Sequence, residues 1–135
     1  MLIRLEHLGI AVKDLTASNA LFEKLLGKPH YKVEEVASEH VKTSFFQLGE
    51  SKIELLEATS ENSAIAKYLE KNREGIHHVA FEVDDIHAAM KLADTLGFKV
   101  LNAEPKKGAD NKLVCFLHPK TTNGVLVEFC QSIKE

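Results

Sequence analysis

The sequence predicts an α+β fold built from two copies of one β-α-β-β-β unit, on three observations. First, the segment from His7 to Leu25 is echoed 71 residues later, so that His7, Val12, Asp14, Leu15, Leu21 and Leu25 superpose on His78, Val83, Asp85, Ile86, Leu92 and Leu96. Second, each copy switches from alternating hydrophobicity, the period of a strand, to helical spacing and back again. Third, a repeat of half the chain is too long for a solenoid and fits a duplicated supersecondary unit. The 135 residues suffice for a single domain. Its first module is expected at about residues 3–60, a linker helix at about 62–74 and the second module at about 75–132, all within one domain spanning 1–135.

The elements follow in order. A strand is read from Leu5 to Val12, ended by Lys13-Asp14 with Asp14 as N-cap. A helix carries Leu15, Leu21, Phe22, Leu25 and Leu26, with Gly27 just past its end. Strands are expected at His30–Ala37, Val41–Leu48 and Lys52–Glu57, the last two joined by a hairpin turn at Gly49-Glu50-Ser51. Ser63 to Asn72 reads as a short amphipathic helix. The second copy opens with a strand from His78 to Val83 and a helix bearing Ile86, Met90, Leu92 and Leu96, closed by Gly97. Strands at Lys99–Asn102, Leu113–Leu117 and Val125–Cys130 complete it.

Composition narrows the function classes. With 44% hydrophobic and 27% charged residues, the chain has the balance of a folded globular protein. Its net charge of −3 lacks the basic footprint of a nucleic-acid binder. No apolar run is long enough for a membrane span, and the opening residues carry charges that do not suit a secretory signal. The two cysteines, Cys115 and Cys130, fall in apolar strand-like runs and read as buried free thiols, although adjacent strands could bring them together as a disulfide. The expectation is a cytoplasmic protein with no nucleic-acid or membrane partner.

Seven histidines and no tryptophan draw attention to metal or proton chemistry. Strand alternation separates two of the seven. His7 shares a strand face with Gly9 and Ala11, and His78 shares one with Ala80, whereas Leu8, Ile10 and Val12, and Val79, Phe81 and Val83, form the packed faces. Small neighbours leave room beside an imidazole. The last strand of each module repeats the logic with an acid: Ile53 and Leu55 read as buried with Glu54 opposed, and Val125, Val127 and Phe129 as buried with Glu128 opposed, the two glutamates being 74 residues apart. Any one of these side chains alone would read as a surface residue; four at repeat-equivalent positions read as a site. Two imidazoles and two carboxylates suit one divalent transition ion, whether cobalt, nickel, zinc or manganese, with open positions for a substrate. Of the remaining histidines, His77 reads as structural, His30, His40 and His87 as exposed, and His118 as ordering the turn before Pro119. Glu82 reads as a rim or salt-bridge residue.

Several segments are similar to one family. They are His7-Leu-Gly-Ile-Ala-Val12, Lys52-Ile-Glu-Leu-Leu-Glu57, Ser63-Ala-Ile-Ala-Lys67, Gly75-Ile-His-His-Val-Ala80, Glu104-Pro-Lys-Lys-Gly-Ala109 and His118-Pro-Lys-Thr-Thr-Asn-Gly-Val-Leu-Val-Glu128. The first and fourth are common to the vicinal oxygen chelate superfamily. The last two segments carry the resemblance to its methylmalonyl-CoA epimerase family, which extends along nearly the whole chain. The resemblance implies a cupped mixed sheet around a metal site and exchange of the α-proton of an acyl-CoA thioester through a metal-stabilised enolate. It also implies metal ligation by His7, Glu54, His78 and Glu128, with cobalt first among the ions, and a homodimer. Glu128 is the expected catalytic base. Some members carry a glutamate on the third strand; the corresponding position here is Thr43, with Glu39 nearby. Asp110-Asn111 stands where a glycine is common, and Asn tolerates the left-handed backbone such a turn needs. Lys106, Lys107, Lys112 and Lys120 could attract the phosphates of coenzyme A, but each reads singly as a solvated loop lysine. The same four ligands would also serve a glyoxalase-I-type lactoylglutathione lyase, and the fold without chemistry would serve a ligand-binding protein.

Overall fold

The computed structural model describes residues 1–134; Glu135, the end of the expected domain, lies outside them. Among the described residues, eight strands and three α-helices follow in chain order as β1 (Leu2–Ala11), α1 (Leu15–Leu26), β2 (Lys32–Val36), β3 (Val41–Leu48), β4 (Ser51–Ala58), α2 (Ala64–Lys71), β5 (Gly75–Val83), α3 (Ile86–Thr95), β6 (Lys106–Lys107), β7 (Lys112–Leu117) and β8 (Val127–Ser132). Two compact units divide the chain, one formed by Met1–His7 with His78 onward, the other by Leu8–His77. The division passes through β1.

In the unit formed by Leu8–His77, the strand order is β2-β3-β4 followed by the second half of β1. The hairpin of β3 and β4 turns at Gly49, whose φ of 61° needs the freedom of glycine. The register sets Phe45 opposite Glu54 and Thr43 opposite Leu56. One face packs Val12, Leu15, Phe46 and Leu55 with Phe22 and Leu26 of α1. The other packs Ala11, Val41 and Leu56 with Ile65, Tyr68 and Leu69 of α2. Ala11 therefore fronts packed side chains; its small size admits α2 and leaves no open space there.

In the other unit, the first half of β1 leads the order β5-β8-β7-β6. β5 and β8 run parallel with Ala80 opposite Glu128, and β8 and β7 antiparallel with Phe116 opposite Glu128. Val83, Ile86, Ala89, Ala93, Cys115, Leu117 and Phe129 form the core under α3. Ala80, Val114 and Cys130 with Phe116 occupy the opposite face. Cys115 and Cys130 thus point to opposite sides of the sheet, and both are free thiols; the disulfide alternative does not arise.

Equivalent helices start in the same way. Asp14 accepts from Ala17 N and Asp85 from Ala88 N, each at 3.1 Å. A second side chain from the unit's last strand then reaches the first helical N–H: Glu57 accepts from Leu15 N at 2.8 Å and Gln131 from Ile86 N at 2.7 Å. These contacts satisfy donors that a helix leaves open at its N-terminus.

Three expectations are corrected. Leu21, Leu25, Leu92 and Leu96 are 62, 72, 47 and 64% exposed, because the buried stripes run through Leu15, Phe22 and Leu26 in α1 and through Ile86, Ala89 and Ala93 in α3. Lys99–Asn102 forms only a bridge from Val100 to Leu117, and the short strand of this region is β6. Val125 is exposed and precedes β8, because the chain is still turning at Asn123 and Gly124, both at positive φ. The turn at Asp110-Asn111 is left-handed at both residues, with φ of 59° and 55°.

Ile86→Ala should therefore lower the unfolding free energy by about 2–5 kcal/mol in urea titration, while Leu92→Ala, one helical face away, should change it by no more than about 0.5 kcal/mol. Burial pushes the Cys115 thiol up to about 11, leaving roughly one thiolate in a thousand at pH 8. An aromatic disulfide reagent should accordingly leave the native protein almost unlabelled and titrate both cysteines once denaturant is added.

Candidate metal centre

β1, β5 and β8 bring together three of the four residues singled out from the sequence. His7, His78 and Glu128 are 5, 6 and 5% exposed. His78 and Ala80 share a face of β5, and parallel pairing places Glu128 beside Ala80. His7 Nε2 lies 3.1 Å from His78 Nε2 and 3.6 Å from Glu128 Oε1, and His78 Nε2 lies 3.3 Å from the same oxygen. The two rings meet edge to face at 5.2 Å, and Phe116 closes against His78 at 6.1 Å, also edge to face.

These separations suit a cation. Ligand atoms held at about 2.1 Å from one ion at octahedral or tetrahedral angles lie about 3.0–3.4 Å apart. The atoms from His7, His78 and Glu128 form such a group. Two imidazole nitrogens and an anionic oxygen this close in a buried setting must share protons or share a cation. The chemistry of the donors, two imidazoles and a carboxylate, is that of a borderline divalent ion.

Glu54 belongs to the other unit. It is 5% exposed and shares a face of the β3-β4 hairpin with Phe45 and Thr43. Thr43 is 1% exposed, and its Oγ1 makes no hydrogen bond with the described residues. Glu39 ends a short 3-10 turn before β3.

The other histidines take structural places. His118 Nδ1 accepts from Lys120 N at 3.0 Å and orders the turn as expected. His77 packs edge to face on Tyr68 at 5.0 Å, and burial lowers its pKa. His87 is exposed on α3. His30 and His40 are half-buried, contrary to expectation: the His30 ring packs against Phe46 at 5.8 Å, and His40 holds a left-handed turn at φ 53°. Glu82 pairs with Arg4 at 2.8 Å. Lys112, expected in solvent, is 8% exposed and donates to Ser132 Oγ at 2.9 Å. A residue unremarked in the sequence also enters the site: Glu6, wholly buried, whose Oε1 lies 2.8 Å from His7 Nδ1. The signal for it was a carboxylate directly beside a ligand histidine.

The sequence matches the Glyoxalase/Bleomycin resistance protein/Dioxygenase superfamily over residues 6–116. It is 45% identical over 133 residues to an ethylmalonyl-CoA/methylmalonyl-CoA epimerase of Cereibacter sphaeroides, covering 97% of this chain and 99% of that one. A mitochondrial methylmalonyl-CoA epimerase of Homo sapiens is 40% identical over 130 residues, which cover 96% of this chain and 74% of the human protein. Among solved structures, a Streptomyces coelicolor methylmalonyl-CoA epimerase variant bound to 2-nitronate-propionyl-CoA aligns with a TM-score of 0.94 at 36% identity, covering 98% of this chain and 96% of that one.

Purified protein stripped of metal should take up one divalent ion per chain in equilibrium dialysis. His78→Ala should abolish that uptake, and His118→Ala, which loosens only a turn, should leave it unchanged.

Proposed function

The chain belongs to the glyoxalase/bleomycin resistance protein/dioxygenase superfamily, and from that premise we propose that it interconverts the (R) and (S) forms of methylmalonyl-CoA by removing and returning the α-proton. The observation that carries this reading is the convergence of His7, His78 and Glu128, in a chain alignable over nearly its full length with epimerases of that thioester.

The substrate's α-carbon lies between a thioester and a carboxylate, so its C–H bond is already acidic. His7, His78 and Glu128 would hold the ion, and Glu54, the repeat counterpart of Glu128, is assigned as the fourth ligand on the strength of that equivalence and its burial. Cobalt is the first choice of metal. When bound, the ion supplies positive charge beside the substrate's oxygens, where negative charge develops as the proton leaves. Glu128 has a second oxygen besides Oε1, and this carboxylate is the base that takes the α-proton; the C–H electron pair passes to the thioester carbonyl as the enolate forms. Inversion then requires a proton delivered to the opposite face. Thr43, where some relatives carry a glutamate, bears a hydroxyl that donates and accepts hydrogen bonds but is no base near neutral pH. The second proton is therefore assigned to a water or to another residue, Glu39 being the carboxylate nearby in the sequence.

The rest of the reading is a cytoplasmic homodimer. The free, buried Cys115 and Cys130 suit a reducing compartment. Leu2, Ile3 and Leu5, exposed along the start of β1, supply apolar surface for a second copy.

The test is incorporation of solvent deuterium at the α-carbon of methylmalonyl-CoA, followed by mass spectrometry. Metal-loaded protein should exchange that position and convert a single epimer into a mixture of the (R) and (S) forms. Glu128→Gln should slow exchange by about 10²–10⁴-fold. Turnover of a glutathione hemithioacetal with no exchange into methylmalonyl-CoA would replace the epimerase reading with a lyase.

A further inference from the structure

The geometry points to Glu6 as the residue that positions His7 for metal binding, by fixing which ring nitrogen carries the proton. The inference rests on the reading of His7, His78 and Glu128 as a metal centre and adds a residue that acts through His7.

Glu6 is 0% exposed, and its Oε1 stands 2.8 Å from His7 Nδ1. A carboxylate offers only acceptors, and a neutral imidazole has one N–H to give. The short contact therefore places that N–H on Nδ1. The lone pair of Nε2 is left facing His78 Nε2 and Glu128 Oε1, at 3.1 and 3.6 Å. Only this tautomer can ligate through Nε2. With no acceptor at Nδ1, the proton could move to Nε2 and be shared with His78 or Glu128, a self-satisfied cluster that would have to be broken before an ion enters. Glu6 takes His7 out of the donor role in such a cluster, leaving only an N–H on His78 Nε2 to be given up before an ion enters.

The carboxylate also has a cation near it. Arg4 Nη2 lies 3.8 Å from Glu6 Oε2, while Arg4 Nε and Nη2 both reach Glu82 Oε1 at 2.8 Å. Glu82 fixes the guanidinium, and the guanidinium offsets the charge of a carboxylate buried in the sheet. Arg4, at 34% side-chain exposure, remains in contact with solvent. A relay of alternating charge thus runs from the surface to the ligand nitrogen, all within one compact unit.

Two readouts test this. In metal-free protein, ¹⁵N long-range correlation spectra of the His7 ring should show the Nδ1–H tautomer, and Glu6→Ala should shift His7 toward Nε2–H. Cobalt affinity, measured by competition with a chromophoric chelator, should fall by about 10–100-fold in Glu6→Ala. Glu6→Gln keeps an acceptor oxygen but loses the charge, so its affinity should fall by at least roughly three-fold; it is isosteric and decides the matter should the alanine variant fail to fold. Retention of the Nδ1–H tautomer in both variants, or cobalt affinity within two-fold of the parent in both, would overturn the assignment and leave Glu6 as a structural partner of Arg4. A parent protein that binds no cobalt while showing the tautomer shift would defeat the metal-centre reading and leave the action of Glu6 on His7 standing.

Discussion

Two imidazole nitrogens and a carboxylate oxygen lie within 3.1–3.6 Å of one another with almost no access to water. An apolar core would not select this arrangement, because each group loses hydration and must recover it from the others, by a shared proton or by a shared cation. A cation between them reverses the sign of every interaction in the group. Much of the surrounding structure serves to make that proximity unavoidable. Parallel pairing of β5 with β8 sets Glu128 beside Ala80, two residues along from His78. Val114, Cys130 and Phe116 share the face of the small Ala80, and the Phe116 ring meets that of His78 edge to face. On the reverse face Val83, Cys115 and Phe129 are anchored under α3, so the strands cannot slip to relieve the crowding.

These residues fall at matched positions of the repeat read from the sequence. Both modules start with a strand bearing a histidine and end with a strand bearing a glutamate. The correspondence reaches beyond the site: Glu57 and Gln131 occupy matched positions and each receives the first N–H of its module's helix. The last strand of each module therefore does two tasks, presenting an acid on one face and seating a helix start three residues later. The structural matches place the chain in the vicinal oxygen chelate fold.

Features governed by local chemistry were legible in the sequence. Asp14 and Asp85 cap their helices, Gly49 turns its hairpin, and His7, His78 and Glu128 meet as strand alternation and repeat equivalence indicate. Features decided by packing direction were not. Leu21, Leu25, Leu92 and Leu96 lie at helical spacing from true core residues yet face outward, since periodicity identifies a stripe without saying which of two adjacent stripes meets the sheet. Ala11 reads as room beside a site, but α2 fills that side, and nothing local to β1 announces where α2 will dock. Glu6 escaped notice for a similar reason. Strand alternation puts it on the face opposite His7, whereas its long side chain reaches the neighbouring ring.

Anomalous diffraction from crystals of the cobalt-loaded protein tests most directly whether His7, His78 and Glu128 are ligands to one ion. The account predicts a single strong peak per chain about 2.0–2.2 Å from His7 Nε2, His78 Nε2 and a Glu128 carboxylate oxygen. A cobalt peak held by other residues, or a cobalt-free site whose two imidazoles remain hydrogen-bonded to each other at saturating metal, would contradict it.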